Sequence, residues 1–132
     1  MYVFLKEGPI HICKHRDRDN TMLVRGWSKE AILRFQDNSF KDAKDVQQSV
    51  GMTWTKERFP IWYDADADYY WRCEMPTAAV ARSLAAAVQR IDYGSLKAGV
   101  AADGDYEYYD HLVSIHALEK SLLDERSPHV HI

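Results

Sequence analysis

Asp68-Tyr69-Tyr70-Trp71-Arg72-Cys73-Glu74-Met75-Pro76 is the stretch that decides the fold of this chain. An aromatic-rich run bounded by an acid on one side and a proline on the other reads as a strand over Tyr69 to Met75. Pro76 cannot continue the ladder and suits the first turn of a helix. The Ala-rich segment Thr77 to Ile91 follows at once. In it Val80, Leu84, Val88 and Ile91 fall near i, i+4, i+8 and i+11, one face of a 3.6-residue repeat. The spacing predicts that Val80, Leu84 and Val88 are buried against a sheet. Asp92-Tyr93-Gly94-Ser95-Leu96-Lys97 then reads as a polar turn.

Towards the N-terminus the pattern is strands. Tyr2 to Leu5 is a short first strand, Glu7-Gly8-Pro9 a turn signal, and Ile10-His11-Ile12-Cys13-Lys14 an alternating strand paired back on the first. After the polar loop His15 to Asn20, Thr21 to Trp27 is a third strand. Ser28 is placed to cap a helix, with Glu30 in the turn where the helix dipole favours an acid. Trp27, just before the cap, is placed to pack on Ile32 as a hydrophobic staple. This helix is expected to end near Phe35. Residues 37–56 are polar and weakly periodic, and read as an insertion or mobile loop with a helical turn at Asp42 to Gln48. Phe59 to Tyr63 reads as an edge strand, since Pro60 cannot donate to a ladder.

Beyond residue 97 one last helix is expected over Asp105 to Asp124, with Tyr108, Leu112, Ile115 and Leu122 on one face. The order is therefore three strands, a helix, a loop, two strands and two helices. Adjacent strands with short links predict an α+β fold: an antiparallel sheet with two or three helices packed on one face. The strand, helix, strand, helix order in the middle also admits a ferredoxin-like crossover. The expected organisation is a single domain over residues 1–126 and a flexible C-terminal tail over 127–132.

At 132 residues the chain has the size of one ordinary domain. No apolar run reaches the roughly 18 residues of a membrane span, and Met1 to Glu7 lacks the basic start and apolar core of a signal peptide. The expectation is a cytoplasmic protein with no membrane partner, in which Cys13 and Cys73 are reduced thiols. Charge is unevenly spread. Residues 1–63 carry eleven Lys and Arg against eight Asp and Glu, a net of +3, while residues 64–132 carry six against twelve, a net of −6. Such a split admits a bipolar surface whose field steers a partner.

Three stretches carry a resemblance. Asp19-Asn20-Thr21-Met22-Leu23-Val24-Arg25 with a helix just after it, Ala67-Asp68-Tyr69-Tyr70-Trp71-Arg72 through Met75-Pro76, and Ile91-Asp92-Tyr93-Gly94-Ser95-Leu96-Lys97-Ala98-Gly99-Val100 with a tyrosine-bearing helix following are similar to stretches of a widespread group of small, uncharacterised bacterial proteins. The resemblance covers most of the chain outside roughly residues 37–58, where this chain carries extra residues. It implies a bacterial or phage origin and one compact domain. That group has no established activity, so the resemblance carries no catalytic residue over.

The candidate chemistry is thin. His129 and His131 present two imidazoles where a metal needs three or four ligands. Asp64, Asp66 and Asp68 have the spacing of the first ligands of a calcium loop but lack its glycine and terminal glutamate. No nucleotide-binding, serine-hydrolase or zinc-protease motif is present, and no metal or cofactor is expected. His11, His15, Arg16, Arg18 and Arg25 offer the residue types of a metal-independent ribonuclease. Lys14, Arg16, Arg18, Arg25, Lys29 and Arg34 with Trp27 among them could grip phosphates and stack a base, against an isoelectric point near 6.0. Trp54, Trp62, Tyr63, Tyr106 and Tyr109 flank acidic residues including Asp110, and Trp and Tyr dominate binding hot spots. The sequence is therefore read as a non-enzymatic interaction module, binding another protein or itself through Trp62, Tyr63, Tyr106, Tyr109 and Asp110. In a phage or mobile element its concrete form is an inhibitor of a host defence complex. The competing reading is a small ribonuclease or nucleic-acid-binding protein using Lys14, Arg16, Arg18 and Arg25.

Overall fold

The computed structural model describes residues 1–90 and 93–130, with the backbone alone at 93–95, 97 and 123–130. Five strands form one antiparallel sheet: β1 (Tyr2–Leu5), β2 (Gly8–Lys14), β3 (Thr21–Gly26), β4 (Trp62–Tyr63) and β5 (Trp71–Pro76). Their spatial order is β1-β2-β3-β5-β4. β5 is antiparallel to both β3 and β4, so β3 and β4 run parallel with β5 between them. The place on the other side of β3 belongs to β2, which precedes it in a hairpin. The α+β architecture expected from the strand pattern is thus present, with β4 at an edge.

Helices α1 (Lys29–Asp42) and α3 (Thr77–Gln89) pack on the sheet and on each other. Alternation along the strands supplies the core. Ile10 and Ile12 of β2, Val24 of β3, and Cys73 and Met75 of β5 meet Ala31, Ile32 and Phe35 of α1 and Ala79 and Val80 of α3. Ser28 caps α1 as expected: its hydroxyl accepts from the Ala31 amide at 3.2 Å. Pro76 stands at the N-cap of α3, where its missing N–H costs nothing.

Four expectations are corrected. First, α1 does not stop near Phe35 but runs to Asp42, and α2 (Lys44–Val50) follows. Several polar groups of this stretch find partners inside the fold, while Gln36 Oε1 and Asp42 Oδ2 are buried with no hydrogen-bond partner among the described residues. Buried Gln36 donates to the Phe59 carbonyl at 2.7 Å, and buried Ser39 donates to the Phe35 carbonyl at 2.7 Å. Gln47 ties the segment beyond, donating to the Phe40 carbonyl and accepting from the Trp54 amide, each at 2.8 Å. Second, Trp27 does not staple Ile32. Trp27 is 52% exposed and its ring packs instead on Tyr69 and Tyr70, while Ile32 is fully buried in the core. Third, Val88 is 67% exposed while Val80 is 3% exposed. Each four-residue step overshoots a full turn by about 40°, so the 80–84–88 series walks off the buried stripe, which is Ala79, Val80 and Ser83 with Leu84 half-buried. Ile91 lies outside the described residues. Fourth, the stretch expected to be a polar turn opens a helix, α4 (Tyr93–Ala102), followed by α5 (Tyr106–Val130). Val100 of α4 is buried, as are Tyr108 and Leu112 of α5.

The chain divides into two compact units, Met1–Asp92 and Tyr93–Ile132. The first holds the sheet with α1 to α3, and the second holds α4 packed on α5. Helix α5 extends to Val130, and His131 and Ile132, at the end of the tail, lie outside the described residues. Among the described residues, no helix is long and apolar enough to cross a membrane.

Candidate functional site

The side of the sheet away from α1 and α3 carries the other half of each strand's alternation. One cross-strand row spans all five strands. Tyr2 stands opposite His11, His11 opposite Arg25, Arg25 opposite Arg72, and Arg72 opposite Trp62. Directly opposed residues share a face, so these five side chains belong to one surface. A second row, Cys13, Leu23 and Glu74, runs beside it. Tyr2 and Trp62, at the two ends of the first row, are exposed.

The surface is internally braced. Tyr2 stacks on Phe4 with ring centroids 5.2 Å apart. His11 stacks on Tyr69 at 5.1 Å, and its Nδ1 accepts from Arg25 Nε at 2.9 Å. The Arg25 guanidinium in turn lies 5.1 Å from the centre of the Tyr69 ring, a cation–π contact. Tyr69 thus holds His11 and Arg25 together. Trp27 leans on Tyr69 at 5.6 Å and meets Tyr70 edge-on at 4.8 Å. Burial, then the Arg25 guanidinium and the N-terminal ammonium, hold the His11 imidazole below its ordinary range. Arg72 differs from Arg25: the residue is half-buried, and its guanidinium has no hydrogen-bond or ion-pair partner among the described residues.

Glu74, two residues along β5, is fully engaged. Arg18 Nη1 donates to Glu74 Oε2 at 2.7 Å, and His15 Nε2 lies 2.9 Å from Glu74 Oε1. The amides of Asp17 and Arg18 donate to His15 Nδ1 at 3.1 and 3.0 Å. With Nδ1 accepting twice, the ring carries its hydrogen on Nε2 and donates to Glu74. This triad ties the 15–20 loop to the sheet.

The fold distributes the residues singled out in the sequence. Comparison of the chain with protein-family models, with curated proteins and with solved structures finds no match in any of the three. Of the expected partner-binding set, Trp62 lies on the row just described. Tyr63 faces the opposite side of β4, against Trp71 at 5.0 Å. Tyr106, Tyr109 and Asp110 belong to α5 in the second unit, with Tyr106 and Asp110 exposed and Tyr109 half-buried.

Of the alternative basic set, Arg25 joins the row, Arg18 is held by Glu74, and Arg16 is exposed in the loop. Lys14 has the parity of Ile10 and Ile12, so it stands on the helix-bearing side, lining a shallow cavity of about 450 Å³ with Asn20, Met22 and Thr77. His11 and His15 are separated by about 13 Å of extended chain, too far to serve one scissile bond as acid and base. Cys13 and Cys73 are free and face opposite sides of the sheet. Burial, with a lesser push from Glu74, raises the Cys73 thiol to about 12, an unreactive form. Asp64 accepts from the Asp66 amide at 3.0 Å within the turn between β4 and β5. Among the described residues, no three His, Cys, Asp or Glu side chains gather as a metal site would require.

Sequence reasoning missed Tyr2, Tyr69 and Arg72 as site residues. Strand parity separates Arg72 from the core residues Cys73 and Met75. Its place between Arg25 and Trp62 follows only from the strand order.

Proposed function

We propose that this chain is a non-enzymatic protein-interaction module whose contact surface is the sheet face bearing Tyr2, His11, Arg25, Arg72 and Trp62. The observation that carries this reading is the unbroken row of those side chains across all five strands, flanked by Tyr69 and Trp27. Trp, Tyr and Arg are the residues that carry most interface energy, and bracing by neighbours lowers the entropy lost on binding. Tyr106, Tyr109 and Asp110 are proposed as further contacts, on α5 in their own unit. We propose as its concrete form a surface-occupying inhibitor of a host defence complex, and kinship with the small bacterial proteins resembled in sequence. We also propose a ferredoxin-like topology for the β3-α1-β4-β5-α3 half of the first unit, supported by β5 lying between β3 and β4.

Nucleic-acid binding is the second reading, favoured by two arginines among aromatic rings. Two observations weigh against it. Tyr2 stacks on Phe4 and His11 on Tyr69, so these rings offer fewer free faces for bases. The first unit carries fourteen Lys and Arg against thirteen Asp and Glu, almost no net charge for a polyanion.

The test is site-specific crosslinking in the native host. A photoreactive phenylalanine derivative at Trp62 should give an adduct with a discrete protein that survives nuclease treatment. The same group at Ala81, on the exposed side of α3, should not. Equal adducts from both positions, or a nuclease-sensitive adduct from Trp62, would overturn the reading.

A further inference from the structure

Arg25 and Arg72 are directly opposed on adjacent antiparallel strands. Such pairs have Cβ atoms about 4.5–5.5 Å apart, and like charges so placed destabilise a sheet. A carboxylate beside them would relieve the repulsion, and none among the described residues pairs with Arg72. The row neighbours are His11 and Trp62, and Glu74, the acid on the same face of β5, is occupied by Arg18 and His15. The two guanidiniums are not equivalent. Arg25 is oriented by its bond to His11 Nδ1 and its seat on Tyr69. Arg72 is half-buried with no partner among the described residues, between Arg25 on one strand and exposed Trp62 on the next. A preoriented cation and an unpaired one, set among aromatic side chains, form an unfinished ion-pair site.

Resting on the docking face proposed above, we infer that the partner is a protein segment bringing an aspartate or glutamate carboxylate to Arg72 and Arg25, with an adjoining apolar or aromatic side chain seated against Trp62. Charge complementarity selects this occupant over a nucleic acid. The turn that joins β4 to β5 carries Asp64, Asp66 and Asp68 next to Tyr69, and would repel a continuous run of phosphates while leaving a single carboxylate room. Desolvation on docking strengthens the new pair, and the Arg fork matches a carboxylate with two parallel hydrogen bonds.

The experiment follows the Arg Nε–H and Trp Nε1–H signals of the full chain by NMR. Three probes are titrated: a short blocked peptide of alternating aspartate and tryptophan, its asparagine counterpart, and a short oligothymidylate. The acidic peptide should shift the Arg72, Arg25 and Trp62 signals saturably. Its asparagine counterpart should bind at least about tenfold more weakly, the loss of one charge-assisted pair. Arg72→Gln should remove that preference for the acidic peptide while leaving the melting temperature unchanged or raised. Arg72→Lys should keep only part of it, since a point charge cannot make the bidentate contact. Equal binding of the two peptides at these signals would overturn the carboxylate inference and leave the docking face standing. Tighter binding of oligothymidylate at the same signals would overturn both. No response to any probe would overturn the carboxylate inference alone, with the docking face then judged by the crosslinking result.

Discussion

A Cβ placed on Gly8 would stand 2.7 Å from the Cβ of Ala31, so the β1–β2 turn meets α1 where only a hydrogen can fit. Gly8 also has a φ of 136°, a conformation that L side chains rarely adopt. Gly8→Ala should therefore cost about 3 kcal/mol, overpacking added to backbone strain. Gly51, at the end of α2, has a φ of 69° but nothing within 4 Å of its added Cβ. Gly51→Ala should cost only about 1 kcal/mol. Urea unfolding of both variants checks the difference, and equal losses would show that the Gly8–Ala31 contact is relaxed at little cost.

The walk of α3 off its buried stripe sets a graded series. Val80 is buried, Leu84 half-buried and Val88 exposed. Val80→Ala should destabilise by about 2 kcal/mol and Leu84→Ala by a similar or smaller amount, whereas Val88→Ala should stay within about 0.5 kcal/mol. Chemical denaturation of the three variants measures this. A large loss at Val88 would mean that the helix is rotated from the position described.

His11 gives stability a pH dependence. Burial and the nearby cations hold its folded form below the ordinary value of 6.5, so the unfolded chain binds the proton more readily. The His11 contribution is complete above about pH 6.5, falls as pH drops below that, and is gone once the folded-state value is passed. His11→Gln keeps an acceptor for Arg25 Nε and does not titrate. The difference in stability between wild type and His11→Gln should shift in favour of the variant as pH falls below 6.5. A difference that stays constant from pH 8 to pH 5 would show that His11 takes up its proton equally in both states.

Glu74 fastens the 15–20 loop through His15 and Arg18. Arg18 is largely exposed, so its share of the pairing is small, and Glu74→Ala should cost about 1 kcal/mol. The sharper readout is local. The Asp17 and Arg18 amides, which donate to His15 Nδ1, should exchange faster in Glu74→Ala while core amides such as Val24 are unaffected. Unchanged exchange at Asp17 and Arg18 would mean that the loop holds without its carboxylate.

Local chemistry in the sequence determined the elements with strong punctuation. The β1 and β2 alternation, the Ser28 cap, the Pro76 boundary and the α+β class all follow from residues within a few positions of one another, because caps, turns and strand parity are short-range effects. Where polar residues are satisfied by distant partners, the same reasoning stopped short. Gln36 finds the Phe59 carbonyl, and Gln47 finds the Trp54 amide. A segment that reads as a loop is therefore helix through Asp42 and again from Lys44. Leu96 and Val100 likewise share a helical stripe that the glycines at 94 and 99 disguise as turn-like sequence. The candidate site belongs to the tertiary structure. Trp62 and Arg25 were visible as residues suited to binding, but as members of two competing surfaces far apart in sequence. Only the placement of β5 between β3 and β4 sets Arg72 against both, since a cross-strand neighbour is fixed by register and strand order, which no local pattern encodes.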